Sequence, residues 1–301
     1  MSKKTFIPLL ALGAAAGWVV LDNIRLTKTN YSIEFEDLPK EFDGFVIVQV
    51  SDLHNARFGK DQRKLVAAIR EANPDMIAIT GDLFHTARRK NAYSFLEQAA
   101  KLAPCYYVSG NHEQRFADYF TAIKPKLESL GARVLDDERA TISKNGKSIS
   151  IIGLSDPTFN STIPPEKLTE EKLKRLTGND FTILLSHRPE LYHIYARHNI
   201  ALTLTGHAHG GQVRIPFAHR GLYAVHQGWL PKYTEGIFVE NYTKMSGIRI
   251  ADSQSGGTVS LPHNVGVMVV SRSLGNSTFY PKINNPPELV VVELHKKAKP
   301  I

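Results

Sequence analysis

Short apolar runs punctuate the chain, and each ends in a knot of polar residues. Phe45–Val50 leads into Ser51-Asp52-Leu53-His54, Met76–Thr80 into Gly81-Asp82, and Cys105–Val108 into Gly110-Asn111-His112-Glu113. Further on, Ser150–Leu154 leads into Ser155-Asp156, Phe181–Leu185 into Ser186-His187, and Ala201–Thr205 into Gly206-His207-Ala208-His209. Near-continuous β-branched runs of this kind predict strands buried on both faces of a sheet. Asn30–Phe35, Val267–Val270 and Leu289–Glu293 add strand character at either end.

Between the runs lie stretches with helical spacing. Arg63–Ala72 places Leu65, Ala68, Ile69 and Ala72 on one face, and Asn73-Pro74-Asp75 closes it. Tyr93–Leu102, Tyr119–Leu130, Lys167–Leu176 and Glu190–Arg197 read the same way. Alternation of strand and helix predicts a layered α/β body. In such sheets ligands collect beyond the carboxyl ends of the strands, where every polar knot above falls. Residues 221–266, rich in Gly, Tyr and Ser without a period, predict long loops. No repeat and no linker divides residues 30–301, which read as one domain behind a separate segment, residues 1–29.

That first segment carries Lys3 and Lys4 before an apolar run from Phe6 to Leu21, ended by Asp22. The run is a little short of the ~20 residues that span a bilayer and longer than the ~7–15-residue core of an export signal. Ala14-Ala15-Ala16 offers a cleavage site, but Trp18-Val19-Val20-Leu21 continues past it, which favours a retained membrane anchor. A cleaved signal and a packed soluble helix are the alternatives. The two lysines favour a catalytic body outside the cytoplasm, an asymmetry that Arg25 and Lys28 weaken.

Composition adds one inference and removes another. With 37 Lys and Arg against 29 Asp and Glu, the net charge of +8 favours anionic partners. The cations are scattered, apart from short groups such as Arg88-Arg89-Lys90, so no nucleic-acid surface is expected. The single cysteine, Cys105, rules out an intramolecular disulfide and leaves the compartment open.

The polar knots are rich in Asp, Asn and His, and these types without thiolates suit Mn²⁺, Fe or Zn²⁺. In Asp52-Leu53-His54 and His207-Ala208-His209, side chains two apart on extended backbone point the same way. Asp82 is placed to bridge two cations, and Asn111 and His187 complete a set of seven candidate ligands, more than one metal needs. Two cations ~3.5–4 Å apart would clamp the attacking and leaving oxygens at phosphorus and activate a water. His112, beside Asn111, is placed to protonate the leaving oxygen.

On these residues the sequence resembles the calcineurin-like metallophosphoesterase superfamily, whose pattern is D-x-H, G-D, G-N-H-E/D, a lone His and G-H-x-H. The resemblance runs from about Phe45 to the C-terminus. Ser51-Asp52-Leu53-His54, Gly206-His207-Ala208-His209-Gly210-Gly211-Gln212 and Asn285-Pro286-Pro287-Glu288-Leu289 are similar to its bacterial membrane-associated or exported phosphodiesterase branch. The resemblance implies a four-layer α/β/β/α sandwich and two divalent metal ions. Asp52, His54, Asp82 and His209 would hold one, and Asp82, Asn111, His187 and His207 the other, with His112 as the catalytic histidine. Two departures, Ser273 where relatives tend to have glycine and a long loop over residues 247–257, are expected to lie away from the ligands and to bear on substrate choice.

The expected activity is therefore phosphodiester hydrolysis of a phosphorylated small molecule or a lipid-linked substrate. Pyrophosphate cleavage of a nucleotide-linked lipid precursor at the cytoplasmic face is the alternative, and a non-catalytic scaffold would be expected to have lost some of the seven ligands. Arg57 and Arg115 are candidate phosphate contacts. His85 reads as a surface or substrate-touching histidine, and His193, His198, His219, His226 and His263 as non-ligands. Tyr223, Trp229 and Tyr233 line a groove or pack locally, and Asp156 has no assigned role.

Overall fold

A computed structural model of the 301-residue chain describes residues 13, 16–159, 162–216, 220–239, 248–249, 258–260, 265–276 and 281–298. Most of the apolar N-terminal run, His219, His263 and most of the 247–257 loop lie outside the described residues. Residues 16–24 are helical, and no helix among the described residues is long and apolar enough to cross a membrane.

Two seven-stranded sheets form the body. The first runs in spatial order Thr258–Ser260 (β16), Thr27–Phe35 (β1), Glu288–Lys296 (β18), Phe45–Val50 (β2), Met76–Thr80 (β3), Cys105–Val108 (β4) and Ala132–Val134 (β5). The second runs Ile248–Arg249 (β15), Gly236–Val239 (β14), Val267–Val270 (β17), Leu202–Thr205 (β9), Thr182–Leu185 (β8), Lys147–Gly153 (β7) and Glu138–Lys144 (β6). The β2–β5 and β7–β9 blocks are parallel, so their carboxyl ends share an edge.

Period-two alternation decides which side chain goes where. Ile47, Ala78, Val108, Ile151, Ile183, Leu204 and Val269 point between the sheets into the central core. Their neighbours Val48, Val50, Ile77 and Ile79 pack outward on Leu65 and Ile69 of helix Arg63–Ala72 and on Phe95 and Leu96 of helix Lys90–Ala99. On the far side Ile152, Leu184, Met268 and Val270 meet Leu173 and Leu176 of helix Pro165–Leu176, with Tyr192 and Tyr195 beyond. Helix, sheet, sheet, helix is the four-layer α/β/β/α sandwich expected. Gln49 stitches the two sheets beside the site, its Nε2 donating to Thr80 Oγ1 (3.0 Å) and Thr205 O (2.8 Å).

Several elements differ from expectation. The Tyr119–Leu130 helix is a π-type turn over Tyr119–Ile123 followed by helix Lys124–Ser129, because Pro125 has no N–H to continue the ladder. The stretch near Glu190 splits into a 3₁₀ turn, Pro189–Leu191, and one helical turn, Tyr192–Tyr195. Within the supposed loop region, Gly236–Val239 is a fully buried strand paired antiparallel with β17.

Candidate metal centre

The site forms where the polar knots leave the strands. Asp52, His54, Asp82, His207 and His209 all have positive φ, between 47° and 66°. The two D-x-H-like pairs therefore converge through left-handed backbone, not through the extended geometry expected from their spacing. Non-glycine residues held in this region store strain, which clusters at functional sites. Packing is tight enough to forbid side chains at two neighbours. A Cβ on Gly206 would strike Ser51 Oγ and Asp52 Oδ2, and one on Gly110 would strike Asp82 Oδ1.

The seven expected ligands meet in one nest. His54 Nε2 lies 3.2 Å from His209 Nε2 and 3.7 Å from Asp82 Oδ2, while His209 Nε2 is 3.3 Å from Asp52 Oδ1. Next to this group, His187 Nε2 is 3.3 Å from Asp82 Oδ2, 3.2 Å from Asn111 Oδ1 and 3.1 Å from His207 Nδ1. Asp82 belongs to both sets. Atoms ~2.1 Å from a common cation stand ~3–3.5 Å apart, so these separations fit the donor shells of two adjacent ions. His112 sits at the edge, its N–H donating to Asp82 Oδ1 (2.8 Å) and its Nε2 3.8 Å from Asp82 Oδ2.

Electrostatics support the same reading. Asp52 and Asp82 are buried, yet both carboxyls are held below their ordinary range: burial pushes them up, and the imidazoles, His209 and His187 foremost, overcome it. The balancing charge in the metal-free protein is His187. Burial opposes its protonation, but Asp82 and Asp52 raise it to about 10. His54 and His112 are pushed down by burial to about 3 and about 4, leaving neutral imidazoles fit to ligate or to accept a proton. His187 Nδ1 faces Thr80 O at 2.8 Å, which turns Nε2 toward the nest.

A surrounding shell holds the nest in place. Glu113, buried and pushed up to about 8 by burial and by Asp82, accepts N–H bonds from Asp82 (3.0 Å), Gly110 (2.7 Å) and Phe84 (3.2 Å). Asn285 donates to His209 O (2.7 Å), so the late Asn-Pro-Pro-Glu stretch braces a ligand loop. Ser273 does not lie away from the ligands as expected: the residues that follow it clamp the first ligand loop, Leu274 N on Ser51 O (3.0 Å) and Gly275 N on Asp52 O (2.7 Å).

Two histidines join the site against or beyond expectation. His85 packs its ring 5.6 Å from His54 and 5.1 Å from His112. His226, read from sequence as a bystander, stacks on His207 at 5.0 Å with its Nδ1 2.8 Å from His207 Nε2. It rides on the hairpin of Tyr223–Ala224 (β12) and Gly228–Trp229 (β13). Arg188 reaches His226 Nδ1 at 2.6 Å while forming a buried two-pronged pair with Asp156 (2.6 and 3.0 Å), which gives Asp156 its role. No sequence signal marked His226; only the hairpin brings it here. Arg57 is exposed and bonds Gly59 O, outside the nest. Arg115 is exposed, near enough to act on His85 and His112. His193 and His198 lie elsewhere, on Glu190 O and Glu170.

A four-layer sandwich with an acid- and imidazole-lined nest at the shared strand edge defines a metallohydrolase. The chain belongs to the calcineurin-like phosphoesterase family, which residues 45–211 match. It is a hydrolytic enzyme acting on phosphoesters. It is 32% identical over 237 residues to the uncharacterized metallophosphoesterase YkuE of Bacillus subtilis, covering 72% of this chain and 80% of that one. It is 30% identical over 178 residues to phosphodiesterase YaeI of Escherichia coli, covering 57% and 63%. It is 24% identical over 325 residues to UDP-2,3-diacylglucosamine pyrophosphatase LpxG of Chlamydia muridarum, covering 89% and 88%.

Proposed function

We propose that the enzyme hydrolyses phosphodiesters at a centre of two divalent cations. The observation that carries this reading is Asp82, whose carboxylate belongs to both donor groups at once. Asp52, His54, Asp82 and His209 would hold one cation, and Asp82, Asn111, His187 and His207 the second. Bound there, the cations supply Lewis-acid charge that acidifies a water and offsets charge on the phosphoryl oxygens. Asp82 keeps the two donor groups in register while its other oxygen accepts from His112 N–H. Glu113 fixes that carboxylate's backbone. His112, neutral and at the rim, carries a proton to or from the reacting oxygens. The N-terminal segment, residues 1–29, would attach the body of residues 30–301 to a membrane, with the active site on the outer side.

A second reading, cleavage of a pyrophosphate in a nucleotide-linked lipid precursor at the cytoplasmic face, is favoured by the similarity to LpxG over nearly the whole chain. Metal analysis of the purified protein, paired with turnover of an aryl phosphodiester and of a nucleoside diphosphate sugar, tests both. Two equivalents of metal with phosphodiester turnover support the first reading. Turnover of the pyrophosphate alone supports the second, and a protein without bound metal or turnover overturns both.

A further inference from the structure

Nine large apolar side chains are exposed among the described residues, and eight of them fall in three segments. Trp18, Val20, Leu21 and Ile24 lie on the helical residues 16–24. Val225, Trp229 (77% exposed) and Leu230 lie on the β12–β13 hairpin and its exit, and Ile283 stands between. Scattered exposed apolar residues need no explanation, whereas a contiguous group marks a contact surface.

Hydrogen bonds place these segments side by side. Asn23, beside Ile24, exchanges two bonds with Lys282, beside Ile283 (2.7 and 3.1 Å). Ile283 forms a bridge with Val213, whose carbonyl takes the N–H of Leu222 (2.8 Å). Leu222 O in turn takes the N–H of Leu230 (2.8 Å). Backbones paired in this way run ~5 Å apart, so the apolar residues border one rim. The same hairpin that exposes Trp229 carries His226 onto His207, so the rim edges the mouth of the metal centre.

The exposed charges on the described residues of these segments have one sign, and Glu190, an acid of another element beside His226, is paired with Arg188 (3.1 Å). Arg25, Lys28, Arg220 and Lys232 are exposed on these segments. The one carboxylate within residues 16–28, 212–216, 220–233 and 281–285 is Asp22, which is buried, accepts the N–H of Asn285 (2.8 Å) and pairs with Arg25 (3.2 Å), leaving Lys28 and Arg220 as cations without an acid on these segments. Exposed tryptophan and aliphatic side chains beside cations, with no exposed acid among the described residues of these segments, match an anionic bilayer surface, where indole rings settle at headgroup depth and basic residues meet lipid phosphates.

We propose that this rim docks on an anionic lipid bilayer and seats the mouth of the metal centre among headgroups. The substrate is then a phosphoester carried in a lipid headgroup, a clause that rests on the phosphoesterase reading above. Attachment through the N-terminal segment alone would leave Trp229 in water; docking through the rim buries it.

The two tryptophans of the chain are Trp18 and Trp229, so the full-length Trp18→Phe protein reports on Trp229 alone. Its fluorescence is followed on adding vesicles of equal parts phosphatidylglycerol and brominated phosphatidylcholine. Docking predicts quenching and a blue shift, both weaker with phosphatidylcholine vesicles. Replacing Trp229 and Leu230 together by serine should lower vesicle partitioning about a hundredfold, the effect of losing burial of two large apolar side chains, with turnover of a soluble aryl phosphodiester unchanged. Unquenched emission from protein that nonetheless sediments with the vesicles overturns the proposal in favour of tethering by the N-terminal segment. A blue shift that grows with protein concentration without lipid overturns it in favour of a second copy of the chain. Quenching without any phosphodiester turnover keeps the docking surface and overturns the substrate clause.

Discussion

His226 Nδ1 stands 2.8 Å from His207 Nε2 and 2.6 Å from a nitrogen of Arg188. A guanidinium can only donate, so His226 Nδ1 is an acceptor. His207 Nε2 facing that same atom must then carry its proton, which leaves His207 Nδ1 bare and turned toward His187 and Asp82. Asp156, paired with Arg188, anchors the chain. His226→Leu is expected to weaken binding of the second cation about 10–100-fold, the usual effect of losing an outer partner of a ligating imidazole. His226→Asn, which keeps an acceptor where Nδ1 was, should restore most of it. Metal titration of the apo proteins against a chelating indicator checks this; equal affinity in Leu and Asn variants would show that His226 does not orient His207.

Asp82 and His112 should separate metal binding from proton transfer. Asp82→Asn keeps an acceptor for His112 N–H but removes the charge shared by both donor groups, and should deplete metal and turnover together. His112→Ala should keep the metal and lose about 10²–10⁴-fold in kcat, the range for a lost general acid or base. Elemental analysis beside kinetics on one preparation distinguishes the two. Metal loss in both variants would make His112 a ligand.

Much of this was readable from the chain because chemistry and periodicity coincide. The strands Phe45–Val50, Met76–Thr80 and Cys105–Val108 are apolar on both faces, and their boundaries match the sequence reading residue for residue. The polar knots after them were legible as ligands since Asp, Asn and His seldom gather at strand ends for packing reasons. What was illegible depends on contacts distant in sequence. His226 meets His207 only because a hairpin folds back, and Arg188 gains its meaning from Asp156, 32 residues away. The hairpin of β6 and β7 carries a local signal at its turn. Asn145-Gly146 both adopt positive φ at its turn, the residue pair that such two-residue turns favour.

Metal binding should release a proton from His187. Burial alone would lower its pKa, but Asp82 and Asp52 raise it to about 10, so the metal-free protein carries imidazolium there at pH 8. A cation needs the neutral ring, and the bound proton must leave. Calorimetric metal titrations at pH 8, in buffers of different ionisation enthalpy, should report close to one proton released, with affinity rising up to about tenfold per pH unit toward pH 10. The same shift has a stability sign. The folded state holds this proton more tightly than the unfolded one, so the contribution of His187 to the stability of the metal-free protein is lost between pH 6.5 and about 10, by at most about 1.4 kcal/mol per unit. Buffer-independent binding heats would rule out His187 as the internal counter-charge.

Ser273 gives a stability prediction that involves no metal chemistry. Its φ is 75°, a left-handed conformation that glycine adopts freely and a side chain resists. The residue is fully buried, and its Oγ has no hydrogen-bond partner. Ser273→Gly relieves left-handed strain of about 1–2 kcal/mol and removes an unpaired buried hydroxyl costing about 1–3 kcal/mol. Against this stand about 0.5–1 kcal/mol of extra chain entropy in the unfolded state and the contacts of the lost Cβ. The backbone bonds that matter survive: Ser271 Oγ still accepts the N–H of residue 273, and Leu274 and Gly275 still donate to Ser51 and Asp52. We expect a net gain of about 1 kcal/mol, or about 2–4 °C in Tm for a body of this size. Ser273→Val, branched at Cβ in the same conformation, should lose stability and loosen the loop that holds Asp52. Thermal unfolding of the three metal-free proteins settles the order, and a glycine variant that melts below wild type would mean that the buried hydroxyl and Cβ contribute more than the strain costs.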